Sequence, residues 1–300
     1  MSTVHEGDPG GSSVPIPALF AHLVDDTSLL LPRRELPPPR EVLSRYLRAR
    51  DGEYGGMVGQ LVCPVSRLPQ VVTELAKLAP IAPVDLSLVV DTGLGAVPKA
   101  LSLVLSREAL LTPCTVETPA PPDVDSTWLE RVSEFVPDDV VPVVEPRRPL
   151  NGDTGQWLDA VRRVADQGCT PKLRCGGPRP SDVPAVDEVA DFVAAAEGAP
   201  AGFTTSLGLT HVVRRVDEDT GHAEHGLLNL LVAVARALVN GDVRGALAET
   251  DPGPLVREVS RLSEAAGGAV RGLLARCGSG PVEQTAAELA KLGVLGAVAS

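Results

Sequence analysis

The chain has 300 residues, enough for one large domain or two smaller ones. Its formal net charge of −12 excludes a broad basic face for nucleic-acid phosphates and disfavours contact with an anionic membrane surface. Aromatic residues are only 3% of the chain against 44% hydrophobic overall, so the core must be packed from Val, Leu and Ala, which suits buried parallel strands under Ala-rich helices.

Residues 1–13 are rich in Gly, Ser and Asp and lack an apolar stretch, which predicts disorder and argues against a secretory signal. Pro15 to Leu31 carries Leu19, Phe20, Leu23 and Val24 at spacings compatible with a short helix. A Pro-rich connector, Pro32 to Pro39, leads to a second short helix over Arg40–Arg50, with Val42, Leu43, Tyr46 and Leu47 on one side. Residues 14–56 therefore read as a helical N-terminal extension covering one end or side of the main domain.

From Met57 a strand-then-helix unit repeats. Strands are predicted at Met57–Cys63, Val84–Asp91, Leu111–Glu117, Val140–Glu145, Pro171–Cys175 and Gly202–Leu209. Helical periodicity falls between them at Leu68–Leu78, Val97–Leu105, Trp128–Phe135, Gln156–Ala165 and Val186–Ala196, and then over His225–Val239. Two further units are expected: Ala246–Glu249 with Pro254–Ala265, and Leu273–Cys277 with Pro281–Leu292, although Gly267–Leu274 also fits a helix. Eight such units over residues 57–300 match an α/β protein built as a (β/α)8 TIM-type barrel; an open doubly wound sheet uses the same local pieces. No apolar run reaches the roughly 18 to 20 residues of a spanning helix. The five cysteines are dispersed without a C-x-x-C pair, so reduced thiols in a cytoplasmic protein are expected, with neither a zinc spacing nor a disulfide framework.

In such a barrel, ligands bind where the strands run out. Asp91, Glu117 and Glu145 end three successive predicted strands. They could converge on Mg²⁺, which prefers oxygen ligands, or each could cap a helix or pair with an arginine. Lys172 and Arg174 alternate with Leu173, which places both cations on one face of a strand. They could bind a phosphate or carboxylate beside Gly176 and Gly177, or form interior salt bridges to Glu145 or Glu117. Thr204, Thr205 and Ser206 lead to His211, a candidate general acid or base, with Lys172 and Glu145 as the other candidate catalytic groups. His222 and His225 precede a helix at a spacing too common to mark zinc; His225 reads as a ligand contact or a local packing residue. Gly278-Ser279-Gly280-Pro281 opens the last helix and offers free N–H groups to an anion. Cys175 reads as a buried structural thiol, facing away from the two cations.

From Lys172 to Leu295 the chain resembles a group of uncharacterised bacterial proteins that carry four signatures in order. Their K-L-R-T-G-G is Lys172 to Gly177 here, with Cys175 in place of Thr. Their F-K-A-T-A-G-L-H-H-P corresponds to Phe203–Val212, their H-G-F-L-N to His225–Asn229, and their G-S-C-S-F to Gly278 onward. The resemblance implies that Lys172, Arg174, His211 and His225 share one pocket, with Asn229, Gly278 and Ser279 contributing to it. The family lysine falls on Thr204, the first histidine of its pair on Thr210 and the signature cysteine on Gly280. The expected function is an enzyme acting on a small phosphorylated or carboxylated substrate by acid/base chemistry. The alternatives are a ligand- or partner-binding barrel that has lost the family lysine, or an assembly protein. The sequence leaves the oligomeric state open.

Overall fold

The computed structural model describes residues 14–31, 35, 37–150, 153–177, 179–216 and 223–296. The expected disorder of residues 1–13, and His222, lie outside these. The chain opens with strand β1 (Val24–Asp26), helix α1 (Pro39–Arg50), β2 (Val58–Pro64), α2 (Leu68–Leu78), β3 (Val84–Val89) and α3 (Val97–Leu105). It continues through β4 (Leu111–Pro119), α4 (Ser126–Phe135), β5 (Val141–Glu145), α5 (Gly155–Asp166), β6 (Thr170–Arg174), α6 (Val186–Ala196) and β7 (Phe203–Ser206). A small antiparallel pair, β8 (Arg215–Val216) and β9 (Ala223–Glu224), precedes four helices: α7 (Leu227–Ala237), α8 (Val243–Ala248), α9 (Pro252–Val259) and α10 (Glu264–Leu273). Strand β10 (Leu274–Ser279) and α11 (Val282–Lys291) close the series.

Strands β1 to β7 and β10 form a closed, wholly parallel barrel in which β10 lies between β7 and β1. The protein is a (β/α)8 TIM-type barrel. Each predicted helix from Leu68 to Ala196 is present within one or two residues, because an apolar stripe at helical spacing is buried against the strands in every case. Proline at the first helical turn opens α2 and α3, and Asp125, Asp242, Asp251 and Ser263 cap α4, α8, α9 and α10 through their side chains. Three of the few aromatic side chains join helix layer to barrel: Trp157 of α5, Phe192 of α6 and Phe203 of β7 stack with ring centroids 5.6 and 5.5 Å apart.

Eight strands are present, but not the expected eight. The first is Val24–Asp26, inside the stretch read as a helical extension, so the barrel begins before Met57. Its signature is hidden because Asp25 and Asp26 are both buried, at 4% and 1% exposure, and polar partners rather than apolar packing hold them. Arg45 of α1 lies 3.6 Å from Asp26 and donates to Ser28 Oγ, and Ser28 N–H donates to Asp26 at 2.8 Å. Conversely, the strand expected at Ala246–Glu249 is helix α8 up to Ala248; a four-residue apolar run does not separate the two states. The region Gly267–Leu273 is helical, as its alternative reading allowed, and the last strand comes directly after it. Among the described residues no helix is long and apolar enough to cross a membrane.

Candidate functional site

The parallel strands all deliver their C-terminal ends to one mouth. Below it the barrel interior is polar. Asp25 of β1 accepts from Gln60 N–H at 2.7 Å and lies 3.3 Å from Arg276 of β10. Gln60 Oε1 in turn accepts from Thr115 at 2.8 Å. Nearer the mouth, Glu117 of β4 accepts from Ser87 at 2.6 Å and from the ammonium of Lys172 on β6. Lys172 and Glu117 are 6% and 7% exposed. Two acidic side chains thus each face a cation inside the barrel, as buried ionisable groups require.

These pairings set the proton affinities. Burial pushes the Asp25 carboxyl up to about 7, against the opposing pull of Arg276 and the Gln60 N–H. Burial acts on Glu117 in the same direction, but the charge of Lys172 and hydrogen bonds from Lys172 and Ser87 outweigh it and hold the carboxyl below its usual range. Glu117 is therefore an anion and Lys172 its counter-ion.

Two adjoining hollows open above this pair. The mouth pocket, about 260 Å³, is lined by Glu117, Lys172, Arg174, Glu145, Asp91 and Ser206, with apolar walls from Leu30, Val89 and Leu207. A larger cleft of about 510 Å³ runs outward over Pro119, Pro146, Leu150 and Trp157. Pro119, Glu145, Lys172 and Arg174 line both. The cleft gathers five cations: Arg147, Arg148, Lys172, Arg174 and Arg179. Four have a carboxylate each. Lys172 pairs with Glu117, Arg174 with Glu145 at 2.8 Å, Arg148 with both oxygens of Glu188 at 2.9 Å, and Arg179 with Asp182 at 2.8 Å. Arg147 has no hydrogen bond or ion pair to any described residue and is exposed. Its place is fixed by the segment before it, where Trp157 Nε1 donates to Pro146 O at 3.3 Å.

The expected metal set does not assemble. Among the described residues no group of His, Cys, Asp and Glu could hold a metal ion. Asp91 is turned to the helical turn that precedes α2, where Ser66 N–H donates to it at 3.0 Å; Glu117 is held by Lys172 and Ser87, and Glu145 by Arg174. Each carboxylate has its own partner and the three form no shared ligand set; Glu145 pairs with an arginine as the competing reading had it, whereas Glu117 is held by a lysine and a serine.

The other candidates divide. Lys172, Arg174, Glu145 and Ser206 come together at the mouth, and Leu173 joins the hydrophobic core as alternation requires. His211 lines neither hollow. Arg215 donates to its Nε2 at 2.7 Å, leaving Nδ1–H to donate to Glu288 of α11 at 2.9 Å. His225 is buried, with Nε2–H donating to Pro184 O at 2.7 Å; burial, reinforced by nearby Arg214, holds its pKa below the ordinary value despite that hydrogen bond. Asn229 is fully engaged, accepting from Arg214 N–H at 2.7 Å and donating to Ala246 O and Glu249 O at 2.8 and 2.7 Å. Asn229 thereby ties α8 and the segment before β8 to α7, and His225 ties the start of α7 to the segment before α6.

Gly176 lies at a backbone crossing: a Cβ there would sit 2.6 Å from Gly208 Cα, and Gly208 has φ +70°. Gly177 instead packs on a side chain, since a Cβ there would sit 2.7 Å from Cβ and Oδ2 of Asp182. Gly278 and Ser279 stitch the barrel end together, since Ser279 O accepts from Thr27 N–H at 2.9 Å and Ser279 Oγ donates to Leu209 O at 3.0 Å. The Cys175 thiol is fully buried, and burial pushes its pKa up, as expected of a structural cysteine. Sequence reading missed Arg147, Arg148 and Arg179; the signal was Pro146-Arg147-Arg148-Pro149, two cations held between prolines just past a strand end.

No protein-family model and no curated protein matches the chain, so the site is read from its geometry.

Proposed function

We propose that the protein binds a small anionic molecule, phosphorylated or carboxylated, in the cleft beside the barrel mouth and moves a proton at the Lys172–Glu117 pair. The carrying observation is Arg147. In a chain of net charge −12, a cleft gathers five cations, and among the described residues Arg147 alone of the five has no carboxylate partner. An anion seated there completes the pattern of one negative group per cation. The Arg174–Glu145 pair is half-exposed and worth at most about 1 kcal/mol, so a ligand anion can share Arg174 at small cost.

The chemistry rests on the pair beneath that site. An ammonium facing a carboxylate at the floor of a pocket is a proton donor and acceptor within one hydrogen bond. Lys172 would give a proton to a ligand oxygen, and Glu117, no longer facing an ammonium, would take one from the ligand; passage of that proton from Glu117 to Lys172 restores the pair. Glu145, held by Arg174, positions that guanidinium. Five free cysteines support a cytoplasmic location, and kinship with the uncharacterised bacterial family that shares its C-terminal signatures is part of this reading.

A non-catalytic binding barrel is the second reading. It is favoured by the way Lys172, Glu117 and Ser87 satisfy one another, and by Thr204 standing where the resembled family has lysine.

Thermal unfolding tests the anion site. Inorganic phosphate, phosphate esters or small carboxylates should raise the melting temperature of the wild type; saturation at 100 times Kd corresponds to about 2.7 kcal/mol. Arg147→Ala should lose most of that gain. No stabilisation by any of these anions would remove the proposal.

A further inference from the structure

We infer that the ligand is two-ended, with its anionic head at Arg147 and a neutral hydroxyl- or carbonyl-bearing end that reaches Ser206 at the barrel mouth. This rests on the anion site proposed for the cleft and adds what else the molecule must carry.

The first observation is an unused hydroxyl. Ser206 is 2% exposed, lines the mouth pocket, and its Oγ has no hydrogen-bond partner among the described residues. One step deeper on the same strand, Thr204 is 4% exposed and its Oγ1 is also unpartnered. Buried polar atoms normally find partners, and an unmet one costs about 1–3 kcal/mol. The neighbours in register explain why Ser206 has none. Gly278 of β10 offers no side chain, and Arg174 of β6 is turned to Glu145. Because Ser206 lines the mouth pocket, a ligand oxygen there, met by a turn of the Ser206 side chain about χ1, is the partner assigned to it.

The second observation is charge. The mouth pocket is lined by three carboxylates, Asp91, Glu117 and Glu145, and by two cations, Lys172 and Arg174. A second anionic group placed there would meet a surplus of negative charge, whereas the outer cleft has Arg147 unmatched. The head therefore belongs outside and a neutral polar end inside. That end lies beside Lys172 and Glu117, so the proton moved is one on or next to its hydroxyl or carbonyl group. The ligand class is a hydroxylated or carbonyl-bearing phosphate monoester or carboxylate, rather than a molecule anionic at both ends.

Matched pairs of probes test this. Glycerol 3-phosphate and ribose 5-phosphate are titrated calorimetrically against propyl and pentyl phosphate, with glycerate and propionate as the carboxylate arm. In the better-bound arm, the hydroxylated member should bind wild type at least about tenfold more tightly than its alkyl match, the order expected for recovering one buried hydrogen bond. Ser206→Ala leaves no polar atom stranded and should fold normally. It should abolish most of that ratio while leaving alkyl-ester or propionate affinity within about twofold. Arg147→Ala should weaken both members of a pair together. Equal affinity within the pairs, or an undiminished ratio in Ser206→Ala, overturns the two-ended ligand while the anion site stands. Absence of binding by every probe removes the anion site as well.

Discussion

Lys172 and Glu117 carry the clearest energetic consequence at the residue scale. A buried pair contributes little relative to apolar side chains of the same size, yet removing one member strands the other. Lys172→Met should cost about 3–5 kcal/mol in denaturant unfolding, and adding Glu117→Leu should restore at least half of it. A double variant no better than the single would show that Lys172 acts through something other than its partner. Asp25 gives a pH signature. Its carboxyl is raised by burial to about 7, so the native chain keeps a proton that the unfolded chain releases near pH 4. The stabilisation is present in full below about pH 4 and lost as pH passes about 7, on the order of 4 kcal/mol for a shift of this size. The stability of Asp25→Asn minus that of wild type should therefore rise between pH 4 and 7.5 and level off above. A difference that stays flat across this window would contradict the buried, proton-holding Asp25.

Elements differed in how plainly the sequence announces them. Helices α2, α3 and α6 were legible to the residue because an apolar stripe, a proline start or an acidic first turn marks each one. Strand β1 was not, because two of its three residues are aspartates whose burial depends on Arg45, Arg276 and Gln60, far away in sequence. Helix α8 was lost for the opposite reason, being too short to show its period. The site was half legible. Alternation on β6 placed Lys172 and Arg174 on one face, whereas spacing gave no sign that Gly176 lies at a backbone crossing, that His225 donates to Pro184 O, or that His211 is held between Arg215 and Glu288. Because β1 closes the barrel between β2 and β10, a chain beginning at residue 31 would leave two strand edges open. Such a chain should lose the cooperative thermal transition of the full protein. A truncated protein that melts cooperatively at the wild-type temperature would show that β1 is dispensable.

For the whole molecule, the barrel brings one basic hollow to the mouth of an otherwise acidic protein. Net charge predicted the acidity and strand count predicted the mouth; neither could show that four of the five clustered cations are already neutralised. That distinction makes Arg147 the centre of the functional account. The most direct measurement is arginine modification by phenylglyoxal, mapped by mass spectrometry with and without saturating inorganic phosphate. Arg147 should react fastest of the cleft arginines, ahead of the ion-paired Arg148, Arg174 and Arg179, and phosphate should slow its modification several-fold. Unchanged reactivity of Arg147 under phosphate concentrations that protect other arginines would contradict an anion site in this cleft.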